Sequence, residues 1–187
     1  VQHTHRSPEQ YTRVPMAKIS FIIPSINRPS LHKTVASIEV WPGDEVLVEF
    51  DLPPSGKWGN EQRNKAMARA TGDYLAFIDD DDDYVEGARS IMDRAIKQKP
   101  KDHPILFKIR YPNGRELWQE KKVKNGNIST QMILVPNVKD MLWRWDQNHS
   151  WADFWFISRW KWPAKTIKWN SQVLVLMGHN DEKFERK

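Results

Sequence analysis

Apolar and polar positions alternate along this chain with two periods, one typical of strands and one typical of helices. Short apolar runs bounded by turn residues predict strands at 18–24, 45–51, 74–78, 105–109, 130–135 and 172–177. Apolar residues recur at helical spacing after Pro29, after Asn60 and after Asn137, and both asparagines are expected to cap their helices. Strands alternating with helices predict an α/β domain.

Three stretches between the predicted strands carry further information. The helix after Pro29 is predicted to place Leu31, Val35 and Ile38 on one face. Ala88, Ile91, Met92, Ala95 and Ile96 form a longer apolar stripe and predict a structural helix. Residues 110–128 are basic and contain two Asn-Gly pairs, which indicates a hairpin.

Polar residues follow the first two strands at their carboxyl ends. The loop of residues 25–30 comes directly after the first strand, and ligands of open α/β sheets bind at this edge. Asp51 ends the second strand, where an acidic residue often accepts hydrogen bonds from a ribose or a base. Arg63 is expected in the first turn of the next helix, in reach of a phosphate or of a surface salt bridge.

Five consecutive aspartates, Asp79 to Asp83, follow the third predicted strand. Carboxylates this close repel one another, so some stay protonated unless a cation lies among them. Alternate residues of an extended segment point the same way, so Asp79 and Asp81 can share one oxygen-seeking cation. A solvated acidic turn is the alternative. An EF-hand is excluded, because Tyr84 stands where its loop needs glycine and Ser90 where it needs glutamate.

A second unusual stretch, Trp151 to Ile157, places Asp153 among aromatic and apolar residues. Burying an unpaired charge is expensive, so Asp153 is expected to be paired, helix-capping or catalytic. Desolvation would raise its pKa, which suits a general base. Further along, His179 follows the last predicted strand and a glycine, a position from which it can reach a site beside that strand.

Composition limits the class of protein. The 187 residues suit one domain with a core, and 39% hydrophobic with 28% charged residues is typical of a soluble globular protein. The absence of cysteine excludes disulfide and thiolate chemistry and is compatible with a reducing compartment. No apolar run approaches the roughly 20 residues that span a bilayer. The first twenty residues lack the apolar core of a signal peptide, so a cytoplasmic protein without membrane insertion is expected.

Charge and aromatic content point to possible partners. The net charge of +5 and a pI near 9.4 favour polyanions. Ten tryptophans exceed what packing needs in a chain of this size, so some are expected to be exposed surfaces on which sugars or bases stack. Residues 1–17, polar and interrupted by two prolines, are expected to form a loose tail.

Four stretches together resemble the family-2 glycosyltransferases, which have the GT-A fold. They read I-S-F-I-I-P-S-I-N-R-P, E-V-L-V-E-F-D, Q-R-N-K-A-M-A-R-A-T-G-D-Y-L-A-F-I-D-D-D-D and W-A-D-F-W-F, within residues 19–179. The third is the specific one, since an Arg-Asn helix, Gly-Asp-Tyr, a strand and an Asp-x-Asp follow in that order. The resemblance implies a Rossmann-like nucleotide-diphospho-sugar transferase fold over residues 18–187, a single domain with a mixed central sheet flanked by helices.

The resemblance also implies roles for individual residues. Asp79 and Asp81 are similar to the Asp-x-Asp that holds Mn²⁺ or Mg²⁺ on the donor diphosphate, and His179 matches a histidine that completes the metal shell. Asp80 occupies the position that often contacts the ribose. The nucleotide pocket is implied to contain Pro24, Asn27, Arg28, Asp51, Arg63, Asp79 and Asp80.

By the same resemblance, W-A-D-F-W-F matches the motif whose aspartate is the base of inverting enzymes, which selects Asp153. Ala152 replaces the usual glutamate there, a departure that affects how the acceptor is positioned. Trp151 and Trp155 beside the base are expected to stack on the acceptor sugar or base.

The implied reaction is metal-dependent, inverting transfer of a sugar from a nucleotide-sugar, most commonly a UDP-sugar, to a hydroxyl. A basic, tryptophan-rich surface suits a nucleic acid whose hydroxylated base is flipped out, such as hydroxymethylated viral or phage DNA in the host cytoplasm. A glycan or a protein is the alternative acceptor. Two other classes stay open, a non-catalytic nucleotide-sugar-binding module and a metal-dependent nucleotidyltransferase, although the latter normally has a glycine-rich phosphate loop that the first strand lacks.

Overall fold

The computed structural model describes residues 16–98, 102–146 and 151–178. Eight strands and four α-helices lie in this part of the chain. In chain order they are β1 (Ile19–Ser25), α1 (Leu31–Ala36), β2 (Glu45–Phe50), α2 (Asn60–Arg69), β3 (Tyr74–Phe77), β4 (Asp83–Tyr84), α3 (Ala88–Lys97), β5 (Ile105–Arg110), β6 (Glu116–Leu117), β7 (Ile133–Pro136), α4 (Ala152–Ser158) and β8 (Lys168–Leu176). Short 3-10 turns cover Thr130–Met132, Lys139–Met141 and Ala164–Thr166.

The strands form one mixed sheet in the order β2-β1-β3-β7-β5-β8-β4, with β6 paired to β5. The strands β2, β1 and β3 run parallel, and β7 lies antiparallel between β3 and β5. All residues of β1 and β3 are buried, as their continuous apolar runs predict for central strands covered on both faces. The predicted mixed central sheet flanked by helices is confirmed.

The sheet curls, and the connection between β3 and β4 shows why. Three other strands lie between these two in the sheet order, although only residues 78–82 join them along the chain. Four strand spacings of about 4.8 Å would separate them in a flat sheet. The connection does not reach across, because the Asp82 N–H donates to the Asp79 carbonyl at 3.3 Å and closes a turn. Curling therefore brings β4 and its partner β8 back to the carboxyl end of β3.

The periodicity predicted most elements correctly. Four of the six predicted strands agree with the structure to within one residue, and β8 begins four residues earlier than expected. The helix over Ala88–Lys97 is confirmed. The strand predicted at 130–135 is wrong in its first half, since Thr130–Met132 form a 3-10 turn that places Gln131 beside the acidic run.

Three local predictions were overridden by tertiary contacts. In α1 the buried residue is Thr34, which donates to the Asp82 carbonyl at 2.8 Å, whereas Val35 is exposed. Asn60 does not cap α2, because Gly59 takes that position and the Asn60 amide donates to the Asp146 carbonyl at 2.9 Å. Asn137 likewise does not cap the short helix that was predicted after it.

The Asn137 side chain instead joins two elements. Its amide donates to the carbonyls of Ala70 and Gly72 at 3.1 and 2.9 Å, between the end of α2 and the start of β3. Gly72 has no room for a side chain there, since a Cβ would lie 2.6 Å from the Ser20 backbone nitrogen. The short turn that follows, Lys139–Met141, begins after Val138.

An aromatic cluster fixes α4 against the sheet. Trp145 is buried and stacks on Phe156 of α4, with ring centroids 4.1 Å apart, and both rings meet Phe77 of β3 edge to face. The Asn64 side chain bonds to both the N–H and the carbonyl of Trp145, at 2.8 and 2.9 Å. Because α2, β3 and α4 share this cluster, Asp153 on α4 is held near the end of β3.

Among the described residues, no helix is long and apolar enough to cross a bilayer. The predicted loose tail falls mostly on residues 1–15, which lie outside the described part, so that prediction stays untested.

Candidate active site

The carboxyl ends of β1, β2 and β3 meet at one edge of the sheet, because the three strands are parallel. The loop after β1, the end of β2 and the acidic run after β3 therefore lie together. The Asp51 N–H donates to the Ser25 carbonyl at 2.8 Å and ties the first two of these ends to each other.

We call Asp79–Asp82 the acid turn. The expectation that this run is extended is wrong, because the hydrogen bond between Asp82 and Asp79 closes it into a turn. Asp79, Asp81 and Asp82 each offer a carboxylate oxygen, and these oxygens lie within 4.8 Å of one another. The predicted pair, Asp79 and Asp81, is thus brought together, and the turn adds Asp82, which alternation along a strand could not indicate.

Asp82 is the buried member of the acid turn, with 2% of its surface exposed. Burial raises its pKa to about 8, and repulsion from Asp79 adds to the rise. Two donors oppose this effect, the Gly178 N–H at 2.6 Å and the Gln131 amide at 2.8 Å. The carboxyl group therefore holds a proton near neutral pH unless another positive charge replaces it.

Gln131 is a residue of the site that the sequence did not reveal. Its amide nitrogen donates to Asp79 and to Asp82, at 2.8 Å in both cases. The Ser129 hydroxyl donates to the Gln131 carbonyl oxygen at 2.6 Å and so orients the amide. No sequence signal indicates this role, since Gln131 is about fifty residues away from the acid turn along the chain.

Asp80 holds the loop after β1. Its carboxylate accepts hydrogen bonds from the Ser25 hydroxyl at 2.6 Å and from the Ile26 N–H at 3.2 Å, and its carbonyl accepts one from Ser30 at 2.7 Å. The side chain is almost fully buried. Asp80 thus fixes the position of the loop that carries Arg28.

Two arginines neutralise the acid turn. Arg28 forms ion pairs with Asp80, at 3.2 Å, and with Asp81. Arg63 is buried and forms an ion pair with Asp79, while its guanidinium also donates to the Trp58 carbonyl at 2.7 Å. Each guanidinium has planar, bidentate geometry that suits phosphate as well as carboxylate. Arg63 also lies over the ring of Trp145, 5.0 Å from its centroid.

A cavity of about 400 Å³ opens beside the acid turn. Most of the residues predicted for the nucleotide pocket line it, together with parts of the loop between β2 and α2. The walls are Pro24, Ser25, Ile26, Arg28, Asp51, Pro54, Gly56, Trp58, Gly59, Asp79, Asp80 and Asp81.

Two predicted pocket residues lie outside these walls, although both are close to them. Arg63 stands behind the cavity and contacts Trp58 and Asp79. Asn27 is exposed, and a positive φ of 64° with an N–H bond to the Ser25 hydroxyl places it in the turn of the loop. Asp51 is fixed by the N–H and the hydroxyl of Ser55, which donate to its carboxylate at 2.9 and 2.8 Å.

Asp153 lies in the first turn of α4, half-buried, and its carboxylate accepts the N–H of Phe154 at 2.7 Å. Burial raises its pKa, and the charge of Asp79 adds to the rise. The Phe154 N–H and the positive charge of Arg63 oppose it. Asp153 is thus within electrostatic reach of Arg63 and Asp79, although it is not a wall of the cavity.

The remaining predicted residues are the two tryptophans expected to contact the acceptor and His179. Trp151 is 57% exposed at the start of α4, and Trp155 is half-buried with the guanidinium of Arg159 over its ring at 4.8 Å. His179 lies outside the described residues. The residue before it, Gly178, donates its N–H to Asp82, so the chain reaches the acid turn at that point.

The acid turn fits a divalent cation by geometry and by the chemistry of its donors. Opposite ligands around one Ca²⁺ or Mg²⁺ ion lie about 4 to 5 Å apart, and the three carboxylate oxygens fall within that span. Hard carboxylate oxygens are the ligands that Mg²⁺ and Mn²⁺ prefer. Replacement of the proton of Asp82 by a cation would relieve the repulsion between the three groups.

The sequence profile of a known family, Glycosyl transferase family 2, matches residues 54–177, more than half of the chain. No curated protein matches the sequence significantly. Solved structures of S. aureus TarS resemble the chain. One has a TM-score of 0.65 at 17% identity and covers 85% of this chain and 36% of its own.

Two related structures hold ligands. TarS 1–349 in complex with UDP has a TM-score of 0.63 at 18% identity, covering 85% of this chain and 60% of its own. The complex with UDP-GlcNAc has a TM-score of 0.63 at 16% identity, covering 85% and 58%. The chain therefore spans between about one-third and three-fifths of the length of these structures, and the likeness is one of fold.

The matched residues include α2 with Arg63, the acid turn, Gln131 and Asp153. The strands β1 and β2, which precede the match, complete the parallel half of the sheet. The order of elements and the match agree with the resemblance in the four sequence stretches. This chain belongs to glycosyl transferase family 2, and it has the GT-A fold of that family.

Proposed function

We propose that this enzyme transfers a sugar from a UDP-sugar to an acceptor hydroxyl, with a divalent cation in the acid turn and inversion at the anomeric carbon. One observation carries the proposal. The acid turn, its two arginines and the cavity share one edge of the sheet, and the half-buried carboxylate of Asp153 is within electrostatic reach of that edge.

The cavity supports a nucleotide-sugar donor. Asp51 is held rigidly at one side, where its carboxylate is suited to accept hydrogen bonds from a ribose or a base. Arg28 and Arg63 lie toward the acid turn, where a diphosphate would offer them oxygens in place of the carboxylates they now contact. The UDP and UDP-GlcNAc complexes of the similar S. aureus TarS favour uridine as the nucleoside.

Asp79, Asp81 and Asp82 are the residues that would hold Mn²⁺ or Mg²⁺, with His179 as a further candidate ligand. When bound, the cation would neutralise negative charge on the leaving diphosphate as a Lewis acid. The residues around it have their own tasks. Gln131 orients two of the three carboxylates, and Asp80 keeps the loop with Arg28 in place.

Asp153 is the proposed general base. The acceptor oxygen forms a bond to the anomeric carbon while the bond from that carbon to the diphosphate oxygen breaks, and the diphosphate keeps the electron pair. The acceptor proton passes to the carboxylate of Asp153. Its raised pKa improves proton uptake, since a base of higher pKa is stronger in the ionised form. A single displacement inverts the configuration.

The acceptor that we propose is a hydroxyl group carried by a nucleic-acid base. The net charge of +5 and the exposure of Trp58, Trp143 and Trp151 favour a polyanion with stacking groups. A hydroxymethylated base of viral DNA would have this chemistry. A glycan or a protein acceptor is the alternative outcome of the acceptor assays.

The donor assay incubates the full chain with a panel of nucleotide-sugars and Mn²⁺ and follows the release of nucleoside diphosphate. We expect release from a UDP-sugar, and we expect EDTA to abolish it. Asp81→Ala should lose metal-dependent donor binding, measured by calorimetry, whereas Asp140→Ala, an exposed aspartate of the turn Lys139–Met141, should keep it. Donor turnover that is unaffected by both EDTA and Asp81→Ala would refute the metal site.

A further inference from the structure

Around the end of α4, the described residues form a surface in which aromatic rings and cations alternate. We call it the Trp143 face, and it consists of Trp143, Arg144, Trp155, Arg159 and Lys161. The guanidinium of Arg159 lies over the rings of both Trp143 and Trp155, 5.5 and 4.8 Å from their centroids. Trp143 is 41% exposed. Arg144, Arg159 and Lys161 are exposed as well.

The Trp143 face is built on a rigid support. The Lys161 N–H donates to the Met141 carbonyl at 2.9 Å and joins the end of α4 to the segment that carries Trp143. Between these exposed residues, Trp145 turns inward and its backbone is bonded to Asn64 of α2. The backbone that carries the face is therefore anchored to α2 and to the end of α4.

A second cavity of about 400 Å³ adjoins the Trp143 face. Trp143 and Arg144 form part of its wall, and Lys139 and Asn64 contribute polar groups. The Lys139 ammonium donates to the Met67 carbonyl. This cavity lies on the outer side of α2 and is separate from the one that contains the acid turn, since the two share no wall residue.

The charge of the region is positive. Over residues 139–146 and 151–165 the cations are Lys139, Arg144, Arg159, Lys161 and Lys165, and the acids are Asp140, Asp146 and Asp153. Asp153 is half-buried and its pKa is raised, so it contributes less negative charge to the surface than an ordinary aspartate. The excess of cations is therefore concentrated around the exposed rings.

The combination favours one class of macromolecule. Neutral glycans stack on tryptophan but have no anionic groups for the cations. Acidic glycans have anionic groups and can stack on tryptophan, but they offer no π-surface to the guanidinium of Arg159. A nucleic acid has both, because phosphates pair with Arg and Lys while unstacked bases lie on Trp and on guanidinium planes. On the basis of the proposed function, we infer that the Trp143 face binds the nucleic-acid acceptor.

The test measures binding of fluorescein-labelled oligonucleotides to the full chain by anisotropy, without donor or metal, at several salt concentrations. A comparison of single-stranded DNA with single-stranded RNA tests for a preference between deoxyribose and ribose. A comparison of single-stranded with duplex DNA tests whether unstacked bases are needed. We expect single strands to bind, with affinity that falls steeply as salt rises. Trp143→Ala should weaken single-strand binding by about 5- to 100-fold, the range expected for loss of one stacking platform.

A charge-matched pair of variants separates the face from net charge. Arg144→Glu/Lys161→Glu should lower the slope of log affinity against log salt by about 1.4 for a single strand, about 0.7 for each lost phosphate contact. Arg94→Glu/Lys121→Glu changes the net charge equally at two exposed cations, one in the last turns of α3 and one in the segment after β6.

Three results would overturn the inference. The first is no binding at about 50 mM salt, where phosphate contacts are strongest. The second is an equal loss of affinity in the control pair Arg94→Glu/Lys121→Glu. The third is a sulfated polysaccharide that competes equally with and without Trp143. None of these results affects UDP release in the donor assay. Conversely, failure of the donor assay with intact oligonucleotide binding would refute the proposed transfer and keep the binding surface.

Discussion

Replacing Asp153 by asparagine removes the proposed base and changes little else. The Phe154 N–H now donates to the carboxylate at 2.7 Å, and an asparagine oxygen can accept the same hydrogen bond. The two side chains have nearly equal volume, so the packing of α4 is kept. Because burial of the charged form is costly, the neutral variant should unfold at an equal or higher temperature.

The expected loss of activity follows from the role of a general base. Such a base contributes about 10²- to 10⁴-fold. At about 1.36 kcal/mol for each factor of ten, this corresponds to roughly 2.7 to 5.5 kcal/mol of transition-state stabilisation. The loss should appear in kcat, since Asp153 is not a wall of the cavity proposed to bind the donor. The dissociation constant of the UDP-sugar should stay within about twofold of the wild-type value. A tenfold change would mean that about 1.4 kcal/mol of donor binding is lost, which this substitution should not cause.

The pH dependence provides an independent measure of the same group. The base works in its ionised form, so the rate falls as pH falls through its pKa. Burial raises the pKa of Asp153, and therefore the acid limb should lie above the ordinary aspartate value of about 3.9. Measured with Mn²⁺ saturating at every pH, so that the proton of Asp82 stays displaced, this limb should disappear in Asp153→Asn, in which no proton is exchanged at that position.

The assay follows UDP release and product formation in Asp153→Asn and in Asp102→Asn, an equal change at an exposed aspartate outside the site and the Trp143 face. Wild-type turnover is expected in the control. If Asp153→Asn keeps turnover within about twofold, or keeps the acid limb, the assignment of the base is wrong, because a general base is worth at least about a hundredfold.

Three further substitutions test the support of the site through the free energy of unfolding in urea. Gln131→Leu should cost about 1–3 kcal/mol, because the buried carboxylate of Asp82 loses a donor. Arg89→Met should cost about 3–5 kcal/mol, since it leaves the fully buried Asp44 without its cation. Gly59→Ala should cost more than about 1–2 kcal/mol, because its φ of 69° disfavours any side chain and the new Cβ would lie 2.5 Å from a proline Cβ of β1.

Each of these has a matched comparison. Gln131→Glu keeps the shape of the side chain but places a further carboxylate beside Asp79, Asp81 and Asp82. It should therefore destabilise the fold more than Gln131→Leu does at neutral pH, and less than Gln131→Leu does in acid. Adding Asp44→Asn to Arg89→Met should recover most of the loss. Gly114→Ala shares a positive φ of 80° but meets nothing within 4 Å, so Gly59→Ala must be the more costly of the two. Equal costs would refute the proposed contact.

Local sequence patterns predicted the elements that carry the site. The apolar runs of β1 and β3 and the stripe of α3 were correct, because burial on both faces of a strand or on one face of a helix imposes a period that is readable in the chain. The position of polar residues after parallel strands also predicted that Arg28, Asp51 and the acid turn would meet at one edge.

Contacts between distant segments decided the rest. Gln131 reaches the acid turn, Asn60 bonds to Asp146, and Thr34 rather than Val35 faces inward, all through partners between 48 and 86 residues away. Periodicity and capping rules describe neighbours in the chain, so such partners are invisible to them. Each of these wrong predictions concerned a polar side chain that found a buried partner in another element.

The sequence by itself determined the fold class, the family and the acidic run after a buried strand, because these depend on local periodicity and on motif order. The tertiary structure alone decided that the run is a turn, that Asp82 joins Asp79 and Asp81, and that cations and tryptophans form a face beside α4. For the acid turn the physical reason is the curl of the sheet. It returns the end of β8 to the paired strands β3 and β7, so Gln131 and Gly178 both reach Asp82.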